Sequence, residues 1–288
     1  MISEKAILRN ILSTFIVREF KAMSLMQFSQ KLKSKLHRRR QLIYSNLLFR
    51  WILYGKSRPM RVSKKSTLVF APHPDDETLG CGGMIALKRE QGVPVEVVFI
   101  TDGQASHPNH PRIKPEQLIQ IRKQEAVNAL TILGVERSQI HFLDQQDGSL
   151  SSLPEEERQQ LLDRLIQLLQ DFNPQEIYVS YRKDGHPDHE TASALVQDAI
   201  LESKLQVELL QYPIDKLWNP WLFDFQSQEL ANSYRLPLRH ALSKKKQALE
   251  AYPSQFLPLA PDTKPLMPQI ALERLSSPYE VFFRTRVD

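Results

Sequence analysis

The sequence predicts an α/β protein: a Rossmann-like, doubly wound, mainly parallel sheet with helices on both faces, preceded by a basic helical N-terminal arm. Two observations carry this. Strand-like apolar runs at 67–72, 94–101, 140–144, 176–180 and 206–212 alternate with helix-like runs at about 77–91, 115–133, 154–171 and 188–203; strands separated by helices of that length imply βαβ units and right-handed crossovers. The charge is also divided. Residues 1–66 hold 16 Lys/Arg against Glu4 and Glu19, a net +14, whereas 67–288 carry −9 of the chain's total +5. A split of that size separates two parts with different roles, an arm with its linker at 1–66 and a catalytic-type domain at 67–288.

Within the arm, Ile7, Leu8, Ile11, Leu12, Phe15, Ile16 and Phe20 recur at helical spacing, and a second stripe runs Ile43, Leu47, Leu48, Trp51, Ile52, Tyr54. Lysines and the triplet Arg38-Arg39-Arg40 lie between the stripes. Cationic amphipathic helices of this kind suit an anionic membrane surface; packing on the body or an oligomer contact is the main rival, and nucleic acid a distant third. Residues 55–66 read as a linker. Charged residues interrupt every apolar run well before the ~18 residues a span requires, no secretory signal pattern is visible, and Cys81 is the single cysteine. The expectation is a cytoplasmic protein, peripheral to a membrane if the arm binds one.

In the body, Gly134 is a stop for the second long helix, and Pro154 with Glu155–Glu157 a start for the third. Beyond residue 213 the pattern weakens. A short helix is expected at 239–251, a Pro-rich loop at 253–268 and a closing strand at Val281–Phe283, while 213–240 reads as ordered but irregular.

The chemistry concentrates at two strand ends. His73-Pro74-Asp75-Asp76-Glu77 follows the first strand, and His186-Pro187-Asp188-His189 follows the fourth. Carboxyl ends of parallel strands are where open α/β sheets hold ligands. A hydrolytic metal site needs about three protein ligands and an open position. His73 and Asp76, three apart in a turn, can share one ion, and His189 or His186 can complete the set. Asp75 is then free to act as general base, and Glu77 to orient the site or favour the helix start by its charge. The remaining histidine can stabilise an oxyanion or protonate a leaving amine. Leu79-Gly80-Cys81-Gly82-Gly83 lacks dinucleotide-loop spacing; its glycines suit close packing or backbone approach. His107 and His110 lie in a loop at the same sheet edge and are candidates to face a substrate.

These residues carry a family resemblance. APHPDDE at Ala71–Glu77, Gly82-Gly83, Thr101-Asp102-Gly103, Arg122-x-x-Glu125-Ala126 and the HPDH cluster resemble the PIG-L/LmbE-type zinc-dependent N-deacetylases across roughly 67–200, with a weaker echo at Lys246-x-Ala248-Leu249 and Ser254-Gln255. The resemblance implies metal ligands His73, Asp76 and His189, Asp75 as general base, His186 as acid or oxyanion stabiliser, and Arg122 in contact with substrate. Glu77 and Asp188 would brace the ligands. It implies zinc, with ferrous iron able to replace it, and removal of the acetyl group from an N-acetylglucosamine conjugate or glycolipid. A hydrolase of another amide, or a non-catalytic sugar-binding or membrane-associated glycan-assembly protein, is the alternative. Asp184 stands where some relatives carry a tyrosine that helps hold the oxyanion, and neither the arm nor 213–240 belongs to the family core.

Overall fold

The computed structural model of the chain describes residues 33, 36, 40, 43–219 and 225–285. Its contacts group the chain into two units, Met1–Leu48 and Phe49–Asp288. In the first unit the described residues are helical, and Ile43, Tyr44 and Leu47 are exposed. The stripe from Ile7 to Phe20, His37, and Pro220 with Trp221 lie outside the described residues.

The second unit is built on one eight-stranded sheet. Its strands are β1 (Arg58–Pro59), β2 (Thr67–Ala71), β3 (Val95–Thr101), β4 (Ile140–Gln145), β5 (Glu176–Ser180), β6 (Glu208–Tyr212), β7 (Ser233–Pro237) and β8 (Tyr279–Thr285), in the spatial order 1-7-8-6-5-2-3-4. The run 6-5-2-3-4 is parallel throughout, and β8 pairs antiparallel with β6 and β7. From β2 the chain winds outward through β3 and β4, then returns to place β5 and β6 on the other side. The β2–β5 junction is therefore the topological switch point, where the carboxyl ends of the strands open a crevice.

The crossover helices are α1 (Asp76–Glu90), α2 (Pro115–Leu133), α3 (Glu155–Phe172) and α4 (Pro187–Ser203). Shorter helices follow: α5 (Asp215–Trp218), α6 (Ser227–Ala231), α7 (Ala241–Glu250), α8 (Pro253–Phe256) and α9 (Gln269–Leu275). Central strands buried on both faces need no polar alternation. Accordingly Val69, Val97 and Phe99 enter one core with α1, α2 and α7, while Leu68, Phe70, Val98 and Ile100 enter the other with α3 and α4.

The glycine run of α1 allows both close packing and backbone approach. A Cβ on Gly80 would sit 2.3 Å from Cδ2 of Tyr212, and one on Gly83 would sit 2.3 Å from Cδ2 of Leu238. A buried ion pair also reaches the helix backbone. Glu280 accepts from the N–H groups of Gly83 and Met84 at 2.7 and 2.8 Å and from Lys245 at 2.8 Å; Lys245 donates in turn to the Leu79 carbonyl at 2.7 Å. The first turns of α1 are thus fixed against β6, β8 and α7.

Three expectations change. Residues 55–66 are not a free linker, and the unit boundary falls at 48/49, before the expected 66/67. Ile52 and Leu53 are buried in the core, β1 pairs with β7, Lys65 meets Glu208 at 2.7 Å, and Ser63 donates to Glu176 at 2.7 Å. The apolar side chains gain burial, and the edge of β7 gains backbone partners. The region 213–240 contains β7, whose polar residues and terminal proline hide its strand character. The Pro-rich loop contains the single-turn α8 and is followed by α9.

Candidate functional site

Both predicted clusters sit at the switch point, each between a parallel strand and the helix that follows it. After β2, the Pro72 carbonyl accepts from both the N–H and the Oγ1 of Thr101, at 2.9 and 2.8 Å. The chain then turns through Asp75, at φ 148° and ψ −24°. That conformation is unfavourable for an L-residue and costs about 1–3 kcal/mol. It is held by Glu77, which accepts from the Asp75 N–H at 3.1 Å, and by Arg122, which donates to the Pro74 carbonyl. After β5, His186 caps α4, its Nδ1 accepting from the Asp188 N–H at 3.3 Å.

The two turns bring His73 Nδ1, Asp76 Oδ2 and His189 Nε2 together. The separations are 3.2 Å from His73 to Asp76, 3.3 Å from His189 to Asp76, and 3.3 Å between the two imidazoles. Ligands bound at 2.0–2.1 Å in tetrahedral geometry lie about 3.3 Å apart, so this spacing fits a single ion. Asp76 and His189 are each 3% exposed. The outward nitrogens point the same way chemically. His189 Nδ1 lies 2.7 Å from Asp184, and His73 Nε2 lies 3.2 Å from Asp188 and 3.1 Å from Asp147. Carboxylates on the remote nitrogens hold both rings with their free lone pairs at the shared point, as in metal-binding histidines generally. A second group, His73, His186 and Asp188, also brings ligand-type atoms within 4.8 Å of one another, but it shares His73 with the first.

This crowding shifts the titration of several of these groups. Burial works against charge on His189, yet Asp76 and Asp184 outweigh it and lift its pKa to about 10. His73 is likewise held well above its ordinary value against burial, by Asp147, Asp188 and Asp76. Asp76 is held well below the usual carboxylate range, the two imidazoles overcoming its desolvation. Burial raises Asp75 to about 7, opposed chiefly by Arg122, and raises Glu77 to about 7 despite hydrogen bonds from Thr78 and Tyr252. His186 moves the other way, to about 4, through burial and the positive charge of His189 and His73. It is neutral at pH 7, and because Nδ1 accepts, its proton resides on Nε2.

Several site residues take positions that the sequence does not reveal. Arg122 is 2% exposed and lies behind Asp75, 3.2 Å from its carboxylate. Its guanidinium clamps Asp75 and the turn around it, lying under the 103–106 loop and donating to the Gly103 carbonyl at 3.4 Å. Asp184, 0% exposed, binds His189 and accepts from the N–H groups of Ile214, Asp215 and Lys216. Glu77 meets no ligand side chain; Tyr252 and Thr78 hold it beneath Asp75. His107 and His110 face carbonyls of Ser254 and Ala260 at 2.8 and 3.0 Å, so they lock one loop to another. Glu125 fixes the same region by accepting from Ser254 N–H and Oγ. His141 and His240 pair with Glu96 and Glu90, each away from the site. Asp147 is the site residue missed in the sequence; an Asp-Gly pair just past the carboxyl end of β4 was its one signal.

Residues 68–200 match the family model described as PIG-L: GlcNAc-PI de-N-acetylase. Over 152 residues the chain is 29% identical to a probable N-acetyl-α-D-glucosaminyl L-malate deacetylase 2 of Bacillus subtilis, covering 49% of this chain and 63% of that relative. The aligned region therefore spans less than two thirds of the relative's length. Among solved structures, an N,N′-diacetylchitobiose deacetylase from Pyrococcus horikoshii superposes with a TM-score of 0.57 at 18% identity, over 85% of this chain and 92% of that one. A 4-carboxy-2-hydroxymuconate hydratase from Pseudomonas putida superposes with a TM-score of 0.55 at 22% identity, over 66% and 80%. Both confirm the mainly parallel α/β architecture, and the second shows that the fold alone does not fix the reaction.

Proposed function

We propose, from the match of residues 68–200 to the PIG-L family model, that this protein is a metal-dependent hydrolase that removes the acetyl group from an N-acetylglucosamine-containing conjugate. The carrying observation is the meeting of His73 Nδ1, Asp76 Oδ2 and His189 Nε2 within 3.3 Å, next to the strained, buried Asp75. The similarity to a deacetylase of an N-acetylglucosaminyl malate supports the substrate class.

The three ligands would hold zinc, with ferrous iron as a replacement, and the ion would supply Lewis-acid polarisation of the amide carbonyl and a water acidic enough to attack at neutral pH. Asp75 would accept the proton of the attacking water and pass it to the departing nitrogen, so that amide and water become amine and acetate. Neutral His186 donates its Nε2–H to the carbonyl oxygen as charge develops there. Asp184 and Asp188 keep the ligand rings oriented. Glu77 and Arg122 hold the Asp75 turn.

Acetate release from a panel of N-acetylglucosamine conjugates tests the reading, with zinc, with chelator and in Asp75→Ala. The expectation is metal-dependent release that drops ~10²–10⁴-fold in the variant while zinc stays bound. Full activity in Asp75→Ala would remove it from the mechanism. Sugar binding with no release from zinc-loaded wild type would favour a binding protein instead.

For the arm, the reading is attachment to an anionic membrane surface. No helix among the described residues is long and apolar enough to cross a membrane, whereas residues 1–66 carry net +14, and Ile43, Tyr44 and Leu47 are 54%, 61% and 63% exposed. Binding to phosphatidylserine vesicles should weaken with salt. Equal binding by a chain lacking 1–48 would rule it out.

A further inference from the structure

The geometry points to Asp147 as a positioning residue of the metal centre: its carboxylate sets the tautomer of His73 so that Nδ1 is free to bind the ion. This rests on the metal-site reading above. Two carboxylates face His73 Nε2, Asp147 Oδ1 at 3.1 Å and Asp188 Oδ2 at 3.2 Å. They are not equivalent. Asp188 already accepts from the N–H groups of Gly148 at 2.7 Å and Leu150 at 3.1 Å, one on each oxygen. Asp147 uses only Oδ2 in this way, for the Ala105 N–H at 3.0 Å, which leaves Oδ1 to His73. With its side chain 10% exposed, an Oδ1 lacking a donor would have little access to water.

The loop carrying Asp147 is braced for this task. Its N–H donates to Asp102 Oδ1 at 3.2 Å, and the same oxygen accepts from Gln104 at 3.0 Å. Gly148 takes φ +82°, with nothing within 4 Å of where a Cβ would lie, so glycine serves the backbone angle here and not the packing. The loops after β2, β3 and β4 are joined at one carboxylate.

An asparagine at this position cannot reproduce both contacts. If its Oδ1 accepted from His73, its NH2 would face the Ala105 N–H, donor against donor. If it turned to accept from Ala105, the NH2 would face His73 Nε2 and favour the tautomer with the proton on Nδ1, the nitrogen the ion needs. An alanine removes both effects and leaves Asp188 to hold the ring.

Zinc affinity, measured on the full chain by competition with a chromophoric chelator, tests this without substrate. Asp147→Asn should weaken zinc binding about 10–100-fold, with an unchanged urea midpoint for the ion-free protein, and Asp147→Ala should weaken it less. Binding by Asp147→Asn within twofold of wild type would overturn the proposal, as would a larger loss in Asp147→Ala. Should Asp147→Asn fail to fold, Asp147→Ala decides: an affinity within twofold of wild type refutes the role, and a several-fold loss with an unchanged midpoint supports it. A wild type that takes up no zinc would refute the metal reading itself. Zinc uptake without acetate release would refute the deacetylase reading and leave Asp147's role standing.

Discussion

Gly80→Ala should destabilise the protein and Gly82→Ala should not, although the residues are two apart on one helix. In α1 each gains about 1 kcal/mol of helix propensity from the substitution. At Gly82 the new methyl meets Lys245 Cγ at 3.3 Å and Thr78 Cγ2 at 3.4 Å, so a shift of a few tenths of an ångström accommodates it. At Gly80 it meets Tyr212 Cδ2 at 2.3 Å and Cγ at 2.6 Å, about 1.1 Å inside the 3.4 Å limit of normal contact. Tyr212 is 0% exposed, and its hydroxyl donates to the Phe70 carbonyl at 2.7 Å. Overpacking costs ~1–3 kcal/mol, and loss of that buried hydrogen bond ~1–3 kcal/mol more. Gly80→Ala should therefore destabilise by roughly 1–5 kcal/mol, and Gly82→Ala should be neutral or gain up to ~1 kcal/mol. Urea unfolding followed by circular dichroism measures both. Because Asp76 lies one turn before Gly80, Gly80→Ala should also weaken zinc binding. Equal midpoints for the two variants would refute the close packing of α1 on Tyr212.

The titration of the site gives two further tests. Arg122 opposes the burial that raises Asp75, so Arg122→Gln should raise that pKa further. A general base works only when ionised, so the acid limb of the kcat/KM profile should move to higher pH, and less so in Arg122→Lys, which keeps the charge; an unmoved limb in Arg122→Gln would detach Arg122 from Asp75. Zinc must also displace protons from His73 and His189, both held above their ordinary pKa. Titration calorimetry at pH 7 in buffers of different ionisation enthalpy should show release of about two protons, with affinity falling as pH falls. Affinity independent of pH between 6 and 8 would mean that the two imidazoles are not both ligands.

How far the sequence could be read depended on whether a residue's partner lay nearby in the chain or was supplied by the fold. β2, β3 and β5 were legible because strands buried on both faces are apolar without interruption. The two histidine clusters were legible because each lies at a strand end and contains its own chemistry. β7 was not: Ser233, Tyr234, Arg235 and Pro237 are not a buried run, and the strand exists because β8 and β1 flank it. Arg122 and Asp184 show the same dependence in the site. Arg122 is fixed by the Pro74 and Gly103 carbonyls, from the turn after β2 and the loop after β3, and Asp184 by the N–H groups of Ile214, Asp215 and Lys216, after β6. The ligands could be named from local spacing. Asp188, inside its own cluster, could be named with them; Asp147 could not, since it reaches His73 from the loop after β4, and only the order of the strands brings that loop to the crevice. The centre is therefore assembled by sheet topology from three strand ends, and its ligand geometry should be sensitive to the loops after β4 and β5 as well as to the ligands themselves.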